Sequence, residues 1–220
     1  MKLINTIEIS PLRYAKEEFE LPEISDYPDP EEWYTKWEEV ASRLNFNFKT
    51  IQKGSYLVDI EDIDDDNLEL IVQARLKDID FDDPEVLDHI LALDGGIVLM
   101  MDDEIKIAPN CCSDIGNSDE WQRIFQKESS DWSDLWIGHP WIFYKKENGK
   151  IKFSDYSDEN LQDFKDIKAI FEVDEYQLKT EFEKVIQQQI NFKNRILEIL
   201  KKMEIKEAEK ISELLAGIRN

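Results

Sequence analysis

Apolar residues recur along this chain at two spacings, every second position and every third or fourth, and the changes between them divide it into elements. Residues 2–9 read as a short strand ended near Pro11. Residues 21–30 carry three prolines and read as an ordered loop. A helix is predicted next: Asp29 can cap it, Pro30 suits the first helical position, and Glu32 lies three residues beyond the cap. Trp33, Trp37, Val40, Ala41 and Leu44 then fall on one face as core candidates. Residues 46–51, 56–60 and 68–76 read as strands of an antiparallel meander, with the acidic run Glu61-Asp-Ile-Asp-Asp-Asp-Asn67 as a linker. Aspartates alternating with Ile79 and Phe81 read as a strand edge, apolar inside and acidic outside. Residues 84–93 are predicted as a helix, capped by Asp83, opened by Pro84 and followed by Gly95. Val86, Leu87, Ile90 and Leu91 would face inward, with His89 to one side.

Residues 97–101 and 105–108 form a hairpin candidate around Asp102, Asp103 and Glu104. Ser118 is the expected cap of a short helix over 119–127, with Trp121, Ile124 and Phe125 on its inner face. A loop with Trp132 and Trp136 leads to Gly138-His139-Pro140. Residues 141–145 and 150–154 make the clearest hairpin, because Asn148-Gly149 supplies its turn. A last strand is predicted over 167–173. Asp174 then caps a helix over 175–202 with an apolar stripe through Leu178, Phe182, Val185, Ile186, Ile196, Leu197 and Leu200. A second helix over 206–216 folds back on it or extends it. Strand meanders and helices without regular alternation predict an α+β fold: a mostly antiparallel sheet, flanking helices and a long C-terminal helix pair. Residues 1–173 form the expected body and 174–220 the C-terminal helices of the same domain.

Charge narrows the functional classes. The 220 residues carry 50 Asp and Glu against 27 Lys and Arg, a net of −23. The stretch 177–220 holds nine Lys or Arg and seven Glu, a net of +2, so residues 1–176 carry −25. Such a surface repels nucleic-acid phosphates and anionic membranes and attracts basic proteins. The first residues lack a signal peptide's long apolar region, and no stretch approaches the roughly 18 apolar residues of a spanning helix. A cytoplasmic location is therefore expected.

The richest stretch for chemistry is 107–156, which holds both cysteines, His139 and four of six tryptophans. A catalytic reading makes Cys111 or Cys112 a nucleophile, His139 its base and Asp114 the orienting group. Yet 27 positions separate Cys112 from His139, and no nucleophile, phosphate-loop or dinucleotide signature accompanies them. A disulfide between neighbouring cysteines would strain the intervening peptide, and adjacent cysteines, which tend to point apart, do not suit zinc, whose cysteine ligands usually stand two to four residues apart. Asp62, Asp64 and Asp66 share the first ligand spacings of a calcium loop, but Asn67 and Gln73 stand where Gly and Glu are needed. No metal or cofactor is assigned.

Tryptophans among carboxylates suit recognition of a basic protein. The contact candidates are Asp64, Asp65, Asp66, Asp82, Asp83, Asp119, Glu120, Asp131, Trp132, Asp134 and Trp136. Together these features favour an acidic intracellular protein-binding module, with an immunity or inhibitor protein for a basic toxin-like partner as its sharpest form. The other readings are an enzyme using the Cys111–His139 stretch and a structural module that self-associates through the C-terminal helices.

Overall fold

The computed structural model describes residues 1–10, 24–27, 29–41, 49–52, 55–126, 131–164 and 166–218. Among the described residues, eight strands form two antiparallel sheets of four, and five α-helices accompany them. The class is α+β.

The first sheet has the order β2 (Leu57–Asp59), β1 (Lys2–Glu8), β3 (Gly95–Met101), β4 (Glu104–Ile107). The β3–β4 turn places Asp102 and Asp103 at φ 51° and 63°, the paired left-handed conformation that matches strand twist. The second sheet runs β5 (Ser133–Leu135), β6 (Ile142–Glu147), β7 (Lys150–Phe153), β8 (Phe171–Asp174). Its central hairpin turns at Asn148-Gly149 with φ 53° and 72°, as the dipeptide predicts. Of the expected strand over 46–51, residues 46–48 lie outside the described residues, and Thr50 makes an isolated bridge to Val58.

Helix α1 (Pro30–Ala41) begins where its signals place it, with Asp29 Oδ1 accepting from the Glu31 amide at 3.0 Å. Trp33 is half-buried, and the side chains of Trp37, Val40, Ala41 and Leu44 lie outside the described residues. Residues 68–76 are not a strand. They belong to helix α2 (Asp65–Leu76), whose buried Leu68, Ile71, Val72 and Leu76 follow helical spacing. Residues 61–67 supply the start: Asp64 accepts from the Asn67 amide at 2.8 Å, and Asp65 and Asp66 occupy the first turn, where the helix dipole favours anions. The calcium-like aspartate spacing thus dissolves into a helix N-terminus.

Residues 84–93 are not an α-helix either. Only Val86–His89 forms a short 3-10 turn, and residues 78–83 turn rather than extend. Tertiary partners hold the following backbone open. Arg75 donates to the carbonyls of Leu91 at 3.4 Å and Ala92 at 2.5 Å, Leu93 donates to Leu215 O, and Ile115 donates to Leu93 O. A ten-residue helix is marginal alone, so these bonds decide the conformation. Gly95 opens β3 instead of ending a helix.

Helix α3 (Ser118–Gln126) follows a 3-10 turn over Ile115–Asn117. Ser118 lies inside the helix, and Asp114 does the capping, accepting from the Gly116 amide at 2.7 Å. Helix α4 (Glu175–Lys202) starts at Asp174, which accepts from the Gln177 amide at 3.0 Å. Helix α5 (Ala208–Leu215) folds back against it. The N-terminal half of α4 buries Leu178, Phe182 and Val185 with Trp121, Leu135, Ile142, Phe153 and Val173, which joins the two sheets. Its C-terminal half buries Phe192, Ile196, Ile199 and Leu200 against α2, α5 and the Ile7 end of β1. Between the halves lies Gln189, 3% exposed, donating to Ile115 O at 3.0 Å and Ala216 O at 2.7 Å. Among the described residues no helix is long and apolar enough to cross a membrane.

Two substitutions test this account. Asp64→Ala is expected to cost about 1 kcal/mol through the lost cap. Gln189→Leu is expected to cost about 1–3 kcal/mol, because two buried carbonyls lose their donor. Urea unfolding of each variant measures both, and an unchanged midpoint for Gln189→Leu would contradict the assigned role.

Candidate functional site on the second sheet

Register builds the site. Strand β5 pairs with β6 as Ser133 with Tyr144, Asp134 with Phe143 and Leu135 with Ile142. Continuing by one residue sets Trp136 opposite Trp141, and their ring centroids stand 5.5 Å apart. Alternation then sorts the faces. Leu135, Ile142 and Tyr144 enter the core, while Asp134, Trp136, Trp141 and Phe143 share the other face. Phe143 is covered there by Phe164 in an edge contact at 5.4 Å. Trp136, 42% exposed, is left in the open.

A groove results from this incomplete cover. One depression of about 600 Å³ is lined by Asp134, Trp136, Trp141, Asn160, Leu161 and Gln162. A second of about 600 Å³ continues past Trp136 and Leu161 to Tyr144, Ser133, Glu120 and Arg123. Asp134 is shared by both and exposed, whereas Glu120 is paired with Arg123 at 2.9 Å. Burial pushes the Tyr144 hydroxyl above its ordinary range, against the opposing effect of its hydrogen bond with Ser133.

Next to the groove, the chain before α3 meets the chain before β6. Asn110 N donates to Ile137 O at 2.6 Å, and His139 N donates to Cys111 O at 2.9 Å. Gly138 (φ 96°) permits the approach, since a Cβ there would stand 2.4 Å from Asn110 O. The His139-Pro140 bond is cis. The ring of His139 lies 5.2 Å from that of Trp141, and its Nε2 is 3.3 Å from Asp158. A ridge of His139, Trp141 and Trp136 thus leads into the groove.

The fold sorts the sequence candidates. Glu120, Asp134 and Trp136 meet in the groove. Asp119 and Asp131 are exposed next to them in sequence, and Trp132 is half-buried. Trp121 is fully buried against Phe153, as its helical face predicts. Asp64, Asp65, Asp66, Asp82 and Asp83 lie elsewhere, at α2 and the turns after it. Asp65 is held by Arg195 at 2.9 Å, and Asp83 accepts from the Glu85 amide while facing His89 at 3.5 Å. Cys111 does come opposite His139, and opposed residues share a face. Asp114 is committed to the Gly116 amide, so the carboxylate beside His139 is Asp158. Among the described residues no hydrogen bond joins the Cys111 thiol to His139. A hydrogen bond with Cys112 pushes the Cys111 thiol upward, opposite to the shift that activates a nucleophile. No cluster of three or more His, Cys, Asp or Glu able to hold a metal occurs among the described residues.

Asn160, Leu161 and Gln162 were not flagged by sequence, nor was Asp158. A signal existed: residues 155–163 contain four carboxylates and no Lys or Arg, yet no periodicity. Such a stretch reads as a solvated loop until Asn160, Leu161 and Gln162 are seen to line the groove.

Exposure and charge give a direct test. The cation caesium is expected to quench tryptophan fluorescence more strongly than iodide, because Asp134 lines the groove beside the exposed ring and the chain carries a net charge of −23. Trp136→Phe should remove the larger part of that caesium effect, and Trp121→Phe should leave it intact. A second expectation concerns alkaline pH. Burial raises the hydroxyls of Tyr144 and Tyr156, and raises Tyr56 to about 12, mainly by burial with added repulsion from Tyr34 and Glu8. Folding thus favours the protonated phenols, so this contribution is full below about pH 10 and is lost as pH rises toward 12. Urea midpoints should fall over that window, less steeply for Tyr56→Phe.

No protein-family model matches the chain, and neither a curated protein nor a solved structure does; its function is argued from the groove.

Proposed function

We propose that this chain is an acidic protein-binding module that docks a basic protein through the Trp136–Trp141 groove. In its sharpest form it is a bacterial immunity-type inhibitor that neutralises a toxin-like partner in the cytoplasm. The observation that carries the reading is an exposed tryptophan, packed at a tilt against a second one and flanked by the exposed carboxylate of Asp134. An Arg or Lys of a partner would find an indole face and a counter-ion together, a contact worth about 0.5–2 kcal/mol or more as water is excluded. The net charge of −23 adds long-range attraction, which accelerates the encounter with a cationic target. Speed matters for an inhibitor that must reach its target before the target acts. A cytoplasmic setting also agrees with two exposed free cysteines, which reducing compartments maintain.

The test begins with a partner recovered by affinity capture from the source cells and then purified. It is expected to be basic. Trp136→Ala should weaken its binding roughly 30-fold, the scale of a hot-spot residue at about 2 kcal/mol. Asp134→Lys and added salt should both slow association. Co-expression should protect cells from the partner, and Trp136→Ala should reduce that protection. Unchanged affinity in both variants, or a salt-independent association rate, would reject the reading.

A further inference from the structure

From the geometry of Cys111 and Cys112 we infer a site of reversible oxidative modification: a vicinal dithiol that reacts with low-molecular-weight disulfides and closes to an intrachain Cys111–Cys112 disulfide. The inference does not depend on the partner-binding reading. Adjacent side chains normally diverge along an extended chain. Here Cys112 adopts φ 69°, in the left-handed region, and the two sulfurs face each other at 3.2 Å. Both thiols are free and exposed. The backbone on either side is fixed: His139 N donates to Cys111 O, Asn110 Nδ2 donates to Pro140 O at 2.7 Å, and Gly95 N donates to Ser113 O at 3.2 Å. This frame holds the pair as a pair. The left-handed Cys112 belongs to it, in a conformation that non-glycine residues seldom adopt.

The chemistry balances with a disulfide such as oxidised glutathione as the oxidant. The Cys112 thiolate attacks one sulfur of that disulfide, forming a mixed disulfide and releasing one glutathione thiolate. The Cys111 thiol then loses its proton to solvent, and its thiolate attacks the Cys112 sulfur and expels the second glutathione. Two protein thiols are oxidised and one glutathione disulfide is reduced to two thiols. Either sulfur can donate in the contact between them; Cys112 is assigned the first attack because that contact pushes the Cys111 thiol upward. Consecutive Cα atoms stand about 3.8 Å apart, below the usual disulfide range of about 4.4–6.8 Å, so the ring is strained and easily reduced. The dithiol is therefore the resting form under reducing conditions and the disulfide a transient one.

The chain has only two cysteines, so intact-mass measurement assigns the product without ambiguity. The full chain is incubated with oxidised glutathione, and thiols are counted before and after. The expected product is a monomer lighter by two hydrogen atoms with no free thiol, returned to the dithiol by excess reduced glutathione. Cys111→Ser should stop at one stable glutathione adduct, and an exposed substitution of this kind is expected to leave folding within about 0.5 kcal/mol. A glutathione adduct that persists on the wild-type chain, a disulfide-linked dimer, or two unreacted thiols would each overturn the inference.

Discussion

Gln189 sits where helix α4 changes partners. Its amide nitrogen donates to the carbonyl of Ile115, which precedes α3, and to that of Ala216, which ends α5. Both carbonyls belong to fully buried residues, and a buried carbonyl that loses a donor costs about as much as a full hydrogen bond. The one side chain therefore ties the central helix to the chain entering α3 and to the chain's C-terminal turn. On either side of it α4 buries separate apolar clusters, one joining the sheets and one sealing α2 and α5. A buried polar node between two greasy halves also fixes the helix in register. Sliding α4 by a turn would bury Gln189 unsatisfied and exchange its apolar contacts. β1 carries a polar residue of its own, Asn5, between Leu3 of one cluster and Ile7 of the other, fully buried and with no hydrogen-bond partner for its amide among the described residues.

That register reaches the groove through few intermediates. Leu178 and Val185 of α4 pack in one cluster with Leu135, Ile142 and Tyr144. The inner face of β5 and β6 is thereby pinned, and alternation commits Asp134, Trp136 and Trp141 to the outer face. Exposure of Trp136 is thus a consequence of core packing on the opposite face of the sheet. Phe164 covers Phe143, while Trp136 stays open beside Leu161 in the groove. Large aromatic surface beside carboxylates is what a cationic partner recognises, and the body of the chain carries all of the acidic excess.

Reading the chain alone succeeds where a local rule is strong. Asn148-Gly149 makes its hairpin, Asp174 begins α4, and Asp29-Pro30 begins α1. It fails where an acidic run has two meanings. Residues 61–67 read as a linker because their carboxylates are dense, but the same density at a helix N-terminus is stabilising, and Asp64 makes it so. Residues 84–93 carry good helix signals, yet the guanidinium of Arg75 and the backbone of Leu215 compete for that segment's polar groups and win. The neighbouring cysteines read as divergent because an extended backbone makes them so. A left-handed Cys112 reverses that, and only the contacts around it impose the conformation.

The sequence by itself determined the α+β class, the turns with left-handed residues, the long C-terminal helix and the acidic body, since each follows from nearest-neighbour chemistry and composition. It also pointed to Glu120, Asp134 and Trp136, without showing that they face one another. Tertiary structure decided that the sheet is two sheets, that Asp114 caps while Asp158 meets His139, and that residues 160–162 wall the groove. The reason is physical. Strand register, the cover over an outer face and the partner of a backbone carbonyl depend on segments distant in sequence, and no local pattern of hydrophobic and polar residues encodes which distant segment arrives.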